Sequence, residues 1–400
     1  MPYHTLKTRP ASPCTPSTCR RLGANLEPGL QHTSRTTARC DDFTIWAAPQ
    51  EEIKREFGFC PGAASGSLAY STLPAMNFVP CENSGCGAVP SANDSGSPLL
   101  VIAGPTASGK TALAIALARR IGGEIISADS RQVYQSCDIV TAKPTREEQA
   151  QARHHLIDIA DPRRPFSAAQ WAQQARRAVA EIQSRGRIAI ICGGTGFYIR
   201  ALLEPEKIAA PLADEALRAG LEHECDELGL ASMHARLQVL APARARLVHP
   251  NDRYRIVRAL EIALSNRSPS PASTCSERLS SLAFRLSWPR AQLYERIERR
   301  VDEMGAAGAW QELMSLLDQG VARDSAALSS VGYKQMIEAL GGRMTVKQAE
   351  ELWKQESRRY AKRQETWFAN QLQATPLDAA RGAEALAEEV LQVLAAASTD

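Results

Sequence analysis

The sequence predicts an α/β fold, a parallel-sheet core with a helical segment inserted between two of its strands. Three observations predict it. Leu99-Leu100-Val101-Ile102-Ala103 is a short, wholly apolar run with β-branched members, the pattern of a strand buried on both faces. It leads directly into Gly104-Pro105-Thr106-Ala107-Ser108-Gly109-Lys110-Thr111 and then into a helical pattern with Leu113, Leu117 and Ile121 on one face. Two further strand-like runs, Glu124 to Asp129 and Ile188 to Cys192, follow at the spacing of β-α-β units, whereas residues 204–282 read as helical by period.

Composition bounds the rest. At 400 residues, 44% hydrophobic and 23% charged, the chain has the make-up of a globular protein with room for two or three domains. Collagen-like, wholly disordered and coiled-coil classes are excluded. No run approaches the length of a membrane-spanning helix, so no membrane partner is expected. A net charge of +3 neither requires nor forbids a nucleic-acid partner, which leaves the decision to local patches.

Residues 1–97 are rich in Ser, Thr, Pro, Gly and Cys and carry no sustained period, so they are expected to be a disordered N-terminal extension. Their first forty residues hold six Lys and Arg against the single acid Glu27, the composition of a transit peptide. The competing reading is an upstream extension of the reading frame with initiation further on, for example at Met76. It is preferred because nothing downstream looks eukaryotic. No secretory hydrophobic region is present, and a cytoplasmic location is expected. Six of the ten cysteines fall in this extension and Cys137, Cys192, Cys225 and Cys275 are scattered beyond it. No zinc spacing follows Cys81 and Cys86, so free thiols in a reducing compartment are expected.

The G-x-x-x-x-G-K-[ST] motif spans Gly104 to Thr111 and stands between a strand and a helix, the context it requires. Glycines let successive backbone N–H groups turn inward as an anion nest, and the helix dipole adds positive potential at the same point. Lys110 supplies a point charge and the Thr111 hydroxyl a ligand for Mg²⁺. A di- or triphosphate is therefore the expected ligand. An NTP hydrolase also needs an apolar strand ending in Asp, but Ile188-Ala189-Ile190-Ile191-Cys192 ends in Gly193-Gly194-Thr195-Gly196. That counts against a motor ATPase or a GTPase switch. An acid stands instead at the carboxyl end of the second strand, at Asp129, where an α/β sheet opens its ligand crevice. Asp129 is thus either a site carboxylate or the cap of the next helix.

With these residues in place the chain resembles the tRNA dimethylallyltransferase (tRNA isopentenyltransferase, IPP transferase) family in its bacterial form. The matching segments are GPTASGKT (104–111), SADSRQVY (127–134), DIVTAKPT (138–145), HHLIDI (154–159), GGTGFYIRALL (193–203), HPNDRYRIVRALE (249–261), LYERIERRVDEM (293–304), VGYKQM (331–336) and RRYAKRQETW (358–367). They run in family order over nearly everything from 98 to about 375. The resemblance implies a P-loop NTPase-like parallel-sheet core (98–203 and 283–375), an inserted helical tRNA-binding domain (204–282) that clamps the anticodon arm, and a C-terminal helix (376–400). It also implies transfer of a dimethylallyl group from dimethylallyl diphosphate to the N6 amine of adenine 3′ to the anticodon, in tRNAs reading codons that start with U, by a monomer using Mg²⁺.

Carried onto this sequence, the family roles make Asp129 the general base, Thr195 a nucleotide-orienting residue, and Lys110 and Arg300 diphosphate ligands with the loop Gly104 to Thr111. Thr111 would hold the metal. The tRNA contacts would fall on Asp129, Ser130, Arg131 and Gln132, on Thr195 and Arg218, on Tyr254, Arg255, Ile256, Val257 and Arg258, on Ser329, Ser330, Val331, Gly332, Tyr333 and Lys334, and on Ser357, Arg358, Arg359, Tyr360, Ala361, Lys362, Arg363 and Gln364. Independently, Arg358, Arg359, Lys362 and Arg363 form a basic stripe at helical spacing with Tyr360 and Trp367 nearby, a footprint for backbone contact and base stacking. Two departures from the family bear on RNA contact: Arg253-Tyr254-Arg255 replaces the frequent Pro-Gln-Arg, and Ser329-Ser330 precede VGY. No zinc-finger pattern follows residue 375. A small-molecule kinase would also place an Asp beyond a phosphate loop, but it leaves the insertion and the basic helix unexplained. A prenyltransferase acting on free adenosine nucleotides would not need them, and an RNA-binding protein with a degenerate loop would not need Lys110, Thr111 and Asp129.

Overall fold

In the computed structural model the described residues are 99–205, 214–265 and 279–397. The expectations for residues 1–97 and for most of the polar stretch 265–281 lie outside them. The first half of the core runs β1 (Leu99–Ala103), α1 (Lys110–Ile121), β2 (Glu124–Ser127), α2 (Arg146–Gln151), β3 (His154–His155), α3 (Ala168–Ser184), β4 (Ala189–Gly193) and α4 (Gly196–Leu203). The inserted helices are α5 (Glu215–Leu240), α6 (Pro242–Ala245) and α7 (Arg253–Leu264). The chain then returns through β5 (Ser281–Ser287), α8 (Arg290–Ala306), α9 (Ala309–Asp318), α10 (Tyr333–Leu340), α11 (Val346–Gln371), β6 (Thr375–Asp378) and α12 (Ala383–Ala397).

These strands form one six-stranded sheet in the order β3-β2-β4-β1-β5-β6, and every pairing is parallel. Strand alternation sorts the apolar runs into two layers. Leu99, Val101 and Ala103 face a core with Trp171 and Val179 of α3 and Trp310 of α9. Leu100 and Ile102 face the other side, where Leu113 and Leu117 of α1 and Leu386 and Val390 of α12 cover them. Burial on both faces is why these strands read as unbroken apolar runs.

Helix starts follow local chemistry. Thr145 with Glu148, Ser167 with Gln170 and Thr345 with Gln348 form reciprocal capping boxes at α2, α3 and α11. α1 differs: it begins at Gly109, in the left-handed region at φ 93°, with no side-chain cap and no acid in its first turn. Its leading N–H groups are left for another partner.

Two boundaries differ from the sequence reading. β5 begins at Ser281, paired with Leu99, so residues 281–282 belong to the sheet and not to the insertion. Thr375-Pro376-Leu377-Asp378 adds an edge strand before the terminal helix begins at Ala383. A short segment with one buried residue and a proline carries no strand pattern, and an edge position is where proline is tolerated.

The insertion packs its own small core from Leu221, Met233 and Leu237 of α5 with Ile256, Val257 and Leu260 of α7. Glu261 is buried at its centre, and two guanidiniums hold it, Arg218 at 2.8 Å and Arg258 at 2.7 Å, together with the Asp214 N–H at 2.8 Å. Burial works against its charge, but these hydrogen bonds outweigh it and keep the carboxyl below the usual range. This corrects the expectation of side-chain contact with tRNA for Ile256 and Val257, and it shows what Arg218 and Arg258 bind inside the domain. Ile256 and Val257 are core side chains, and the Arg218 and Arg258 guanidiniums serve a carboxylate inside the domain.

Glu261→Gln removes that charge and leaves two guanidiniums facing a neutral amide, at a cost of about 3 kcal/mol. Amide exchange should accelerate across α5 and α7 and stay unchanged in β1 and β4; uniform acceleration would contradict a separate insertion core.

Candidate active site

The carboxyl ends of β1, β2 and β4 open into a cleft of about 630 Å³, walled on the far side by α8, the 329–335 segment and α11. The loop after β1 brings Lys110 and Thr111, the segment after β2 brings Asp129 to Gln132, and the turn after β4 brings Gly193 and Gly194. Arg300 reaches in from α8, and Tyr360, Arg363 and Gln364 from α11. The crevice lies where a parallel sheet places its ligands.

The phosphate loop is held from outside. Trp288 Nε1 donates to the Ser108 carbonyl at 3.0 Å and Arg296 Nε to the Ala107 carbonyl at 2.9 Å, and the Arg296 guanidinium lies over the Trp288 ring at 4.5 Å. Lys110 Nζ donates to the Pro105 carbonyl at 2.6 Å. Burial lowers the Lys110 pKa to about 8, partly opposed by Cys192 and Asp129. Arg300 is an exposed residue on the cleft wall, where partial desolvation and the neighbouring Arg296 both disfavour its charge. Uncapped helix donors, Lys110 and Arg300 thus converge on one volume without compensating anions of equal number, which is an anion site. Cys192 lines the same cleft, but burial pushes its thiol up to about 12, so it stays protonated and is no nucleophile.

Asp129 caps no helix, because a turn follows it and the next helix begins at Arg146. Asp129 Oδ1 accepts the Arg131 N–H at 2.8 Å, a local turn bond, while among the described residues Oδ2 has no partner. One oxygen fixes the carboxylate and the other remains for a ligand. Thr195 Oγ1 accepts from the Ser130 N–H at 3.0 Å, which ties the turn after β4 to the residue beside Asp129.

Other residues expected to touch RNA have different surroundings. Arg131 binds the Ala326 carbonyl and Ser329 Oγ, and Gln132 accepts from Ser127 Oγ at 2.9 Å and donates to the Ala142 carbonyl at 3.0 Å, so both brace loops of the cleft. Tyr333 is a core residue whose hydroxyl donates to Glu312 at 2.6 Å; burial, and then that carboxylate, push the hydroxyl above its ordinary range. The same Glu312 accepts the N–H groups of Asp138, Ile139 and Val140. Gly332 is pressed against Trp353, where a Cβ would stand 2.9 Å from the ring. Ala361 and Ser357 are buried on the inner face of α11, and Val331 packs at the core's rim. Arg358 is paired with Glu298 of α8. The expectation of side-chain contact with RNA is therefore corrected for Tyr333 and Ala361. Ser329, Ser330 and Lys334 line the cleft.

A second, shallow groove of about 730 Å³ joins the insertion to α11. It is lined by Arg200, Arg255, Arg359, Lys362 and Arg363 and by no acidic side chain. Tyr254 stands 72% exposed beside Arg255. Arg200 is the member that sequence reasoning missed: it lies on α4 and reaches the groove by stacking over Trp367 at 5.0 Å. Arg296 was missed too, although its spacing of four from Arg300 on one helix was a readable signal.

The geometry has its counterpart among known proteins. A family model described as IPP transferase matches residues 132–371. The chain belongs to the IPP transferase family. It is 45% identical over 275 residues to a protein named tRNA dimethylallyltransferase from Geobacter metallireducens, covering 68% of this chain and 89% of the relative. A relative of the same name from an Anaeromyxobacter species (strain K) is 45% identical over 301 residues, 74% of this chain and 97% of its own. Among solved structures, the full-length tRNA isopentenylpyrophosphate transferase of Bacillus halodurans superposes with a TM-score of 0.57 at 37% identity, covering 76% of this chain and 98% of that one. A eukaryotic dimethylallyltransferase described as acting on tRNA gives 0.58 at 27% identity, covering 71% and 74%.

Because the Lys110 ammonium must be charged to hold a phosphate, affinity for inorganic pyrophosphate should be flat at neutral pH and fall as pH rises through about 8. Titration calorimetry across that range checks it. Lys110→Arg, which keeps its charge, should lose the break; a break that persists in that variant would assign it elsewhere.

Proposed function

We propose that this chain is a tRNA dimethylallyltransferase, moving a dimethylallyl group from dimethylallyl diphosphate to the N6 amine of the adenine 3′ to the anticodon, in tRNAs reading codons that start with U. The observation that carries the reading is a single cleft in which an anion cradle and the half-satisfied Asp129 carboxylate face one another, next to a groove of five cations. The relatives' names support it.

The chemistry follows from those groups. The allylic C–O bond breaks, the diphosphate leaves with the bonding electrons, and the adenine N6 lone pair forms the new N–C bond. Charge grows on the departing oxygens, where the α1 N-terminus, Lys110 and Arg300 are already in position, so little reorganisation is needed as the bond breaks. The amine gains positive character as it attacks, and Asp129 takes its proton while Oδ1 stays anchored to Arg131. Thr195, fixed through Ser130, would orient the nucleotide. No water has to be activated, which accounts for the missing acid at the end of β4.

Mg²⁺ fits the residues in a limited way. Among the described residues no cluster of three His, Cys, Asp or Glu could cage a metal, so Thr111 would be its protein ligand and the diphosphate and water the remainder. When bound it would neutralise charge on the leaving group.

The target adenine must leave the anticodon stack to reach Asp129, at a cost of a few kcal/mol that contacts in the basic groove offset. Arg255, Arg359, Lys362 and Arg363 would follow the RNA backbone there, and exposed Tyr254 offers a stacking face. No described helix is long and apolar enough to cross a membrane. The reading places the enzyme in the cytoplasm, acting as a monomer.

The test uses an unmodified anticodon stem-loop with three adjacent adenines, dimethylallyl diphosphate and Mg²⁺, with RNA mass read with and without ATP. One dimethylallyl unit should be gained regardless of ATP. Asp129→Ala should lower the rate at least about a hundredfold while stem-loop affinity is kept. Labelling of free AMP in place of RNA would move the activity to nucleotide prenylation, and ATP consumption on a small molecule would make the chain a kinase.

A further inference from the structure

We infer that Gln364 is the positioning residue that fixes the phosphate loop against the turn after β4, so that it governs the rate of transfer and not the affinity for either substrate. The inference rests on the transferase reading above. The resemblance places Gln364 among the tRNA contacts, but its side chain is 7% exposed and both ends of its carboxamide are engaged inside the protein. Oε1 accepts the Thr106 N–H of the phosphate loop at 2.9 Å, and Nε2 donates to the Gly194 carbonyl at 2.8 Å. One side chain therefore spans the gap between the element that binds the leaving group and the element that binds the nucleotide.

The fit leaves no slack. A Cβ on Gly194 would stand 2.5 Å from Gln364 Nε2, and one on Gly196 would stand 2.1 Å from the Trp367 ring, three residues further along α11. From Gly194 the connection continues through Thr195 to the Ser130 N–H, beside Asp129. On the other side Thr106 sits in the loop whose carbonyls Arg296 and Trp288 already hold. Beyond the strand pairing that ends at Ala103 and Gly193, Gln364 is thus the side chain that ties the phosphate loop to the turn after β4, with one hydrogen bond to each. Transfer by displacement requires the amine and the allylic carbon to meet within a few tenths of an ångström, and a misplacement of about 1 Å can cost about a hundredfold in rate. Anchors elsewhere keep each half-site formed, so each substrate still binds when the bridge is lost.

The face of the same helix turned away from Gln364 carries Arg359 and Lys362 in the basic groove, and Arg363 lines both the groove and the cleft. Residues 357, 361, 364 and 368 point inward and 359, 362 and 363 outward, so RNA held on one side of α11 bears on a helix whose other side sets the reacting distance.

The test compares the full-length wild type with Gln364→Met, which fills the same volume without either bond. Three quantities are read: affinity for inorganic pyrophosphate, affinity for the stem-loop RNA, and the single-turnover transfer rate at saturation. Both affinities should match wild type within error while the rate falls about a hundredfold. Gly194→Ala, which displaces the carboxamide from the other side, should give the same split and serves if the first variant fails to fold. A rate equal to wild type in both variants overturns the inference, as does a rate loss fully explained by lost pyrophosphate or RNA affinity. If the wild type itself transfers nothing to RNA, the proposed function fails first, and the two failures are told apart by that control.

Discussion

The site depends on the open donors at the start of α1. Where α2, α3 and α11 close their first turns with reciprocal side-chain caps, α1 begins at a left-handed glycine with no cap and no acid. The leading N–H groups of a helix that starts at the buried end of β1 cannot be left facing apolar side chains without cost. They are tolerable only if the space before them is kept open and polar. The surrounding elements do that. Trp288 and Arg296 hold the Ser108 and Ala107 carbonyls from outside, and the cleft stands in front.

Electrostatics then select what fills the space. Lys110 lies where burial lowers its pKa to about 8, and Arg300, exposed on the cleft wall, is partly desolvated. A cation held against desolvation is a standing cost that a phosphate relieves, so Lys110 in this place argues for an anionic ligand more strongly than the number of cations alone. Asp129 is the carboxylate at the sheet edge of this cleft with an oxygen to spare, and Thr195 holds the adjacent Ser130 N–H. The buried carboxylates elsewhere are fully used. Glu124 is surrounded by His155, Arg185 and Arg187, and Glu261 by Arg218 and Arg258. That contrast separates a carboxylate placed for chemistry from one placed for packing.

The same contrast shows what the amino-acid sequence could reveal. Gly104 to Thr111, the apolar runs of β1 and β4 and the Asp at the end of β2 are local patterns, each decided within about ten residues, and all were legible. β6 was not, because a strand that buries only Leu377 takes its existence from β5 and not from its own period. Ile256, Val257 and Tyr333 sat inside segments read as RNA-facing because a helix shows RNA only part of its circumference, and segment matching has no sense of face. Arg218 was expected to contact tRNA, and its bond to Glu261, 43 positions away, has no local signal. Gln364 and Thr106 are 258 positions apart, and no periodicity announces a bond of that kind.

That last bond draws the other features into one argument. A catalyst that joins an RNA amine to an allylic carbon has to bind two unlike substrates by unlike means, a small diphosphate by a rigid nest and a large RNA by a diffuse cationic surface. Each means works alone, yet the rate depends on their relative position. The fold meets this by giving α11 both tasks: Arg359, Lys362 and Arg363 face the groove, while Gln364 and Trp367 clasp the loop and the turn at the sheet edge. A long helix is stiff along its axis, so the contact made on its outer face and the spacing held on its inner face are not independent. Glycines at 194 and 196 are the local condition for that clasp, since a Cβ at 194 would displace the Gln364 carboxamide and one at 196 would strike the Trp367 ring. On this view the small residues of the turn after β4 have two tasks. They end a strand without an acid, which suits a reaction that needs no activated water, and they let the RNA-facing helix approach close enough to set the distance at which the bond forms.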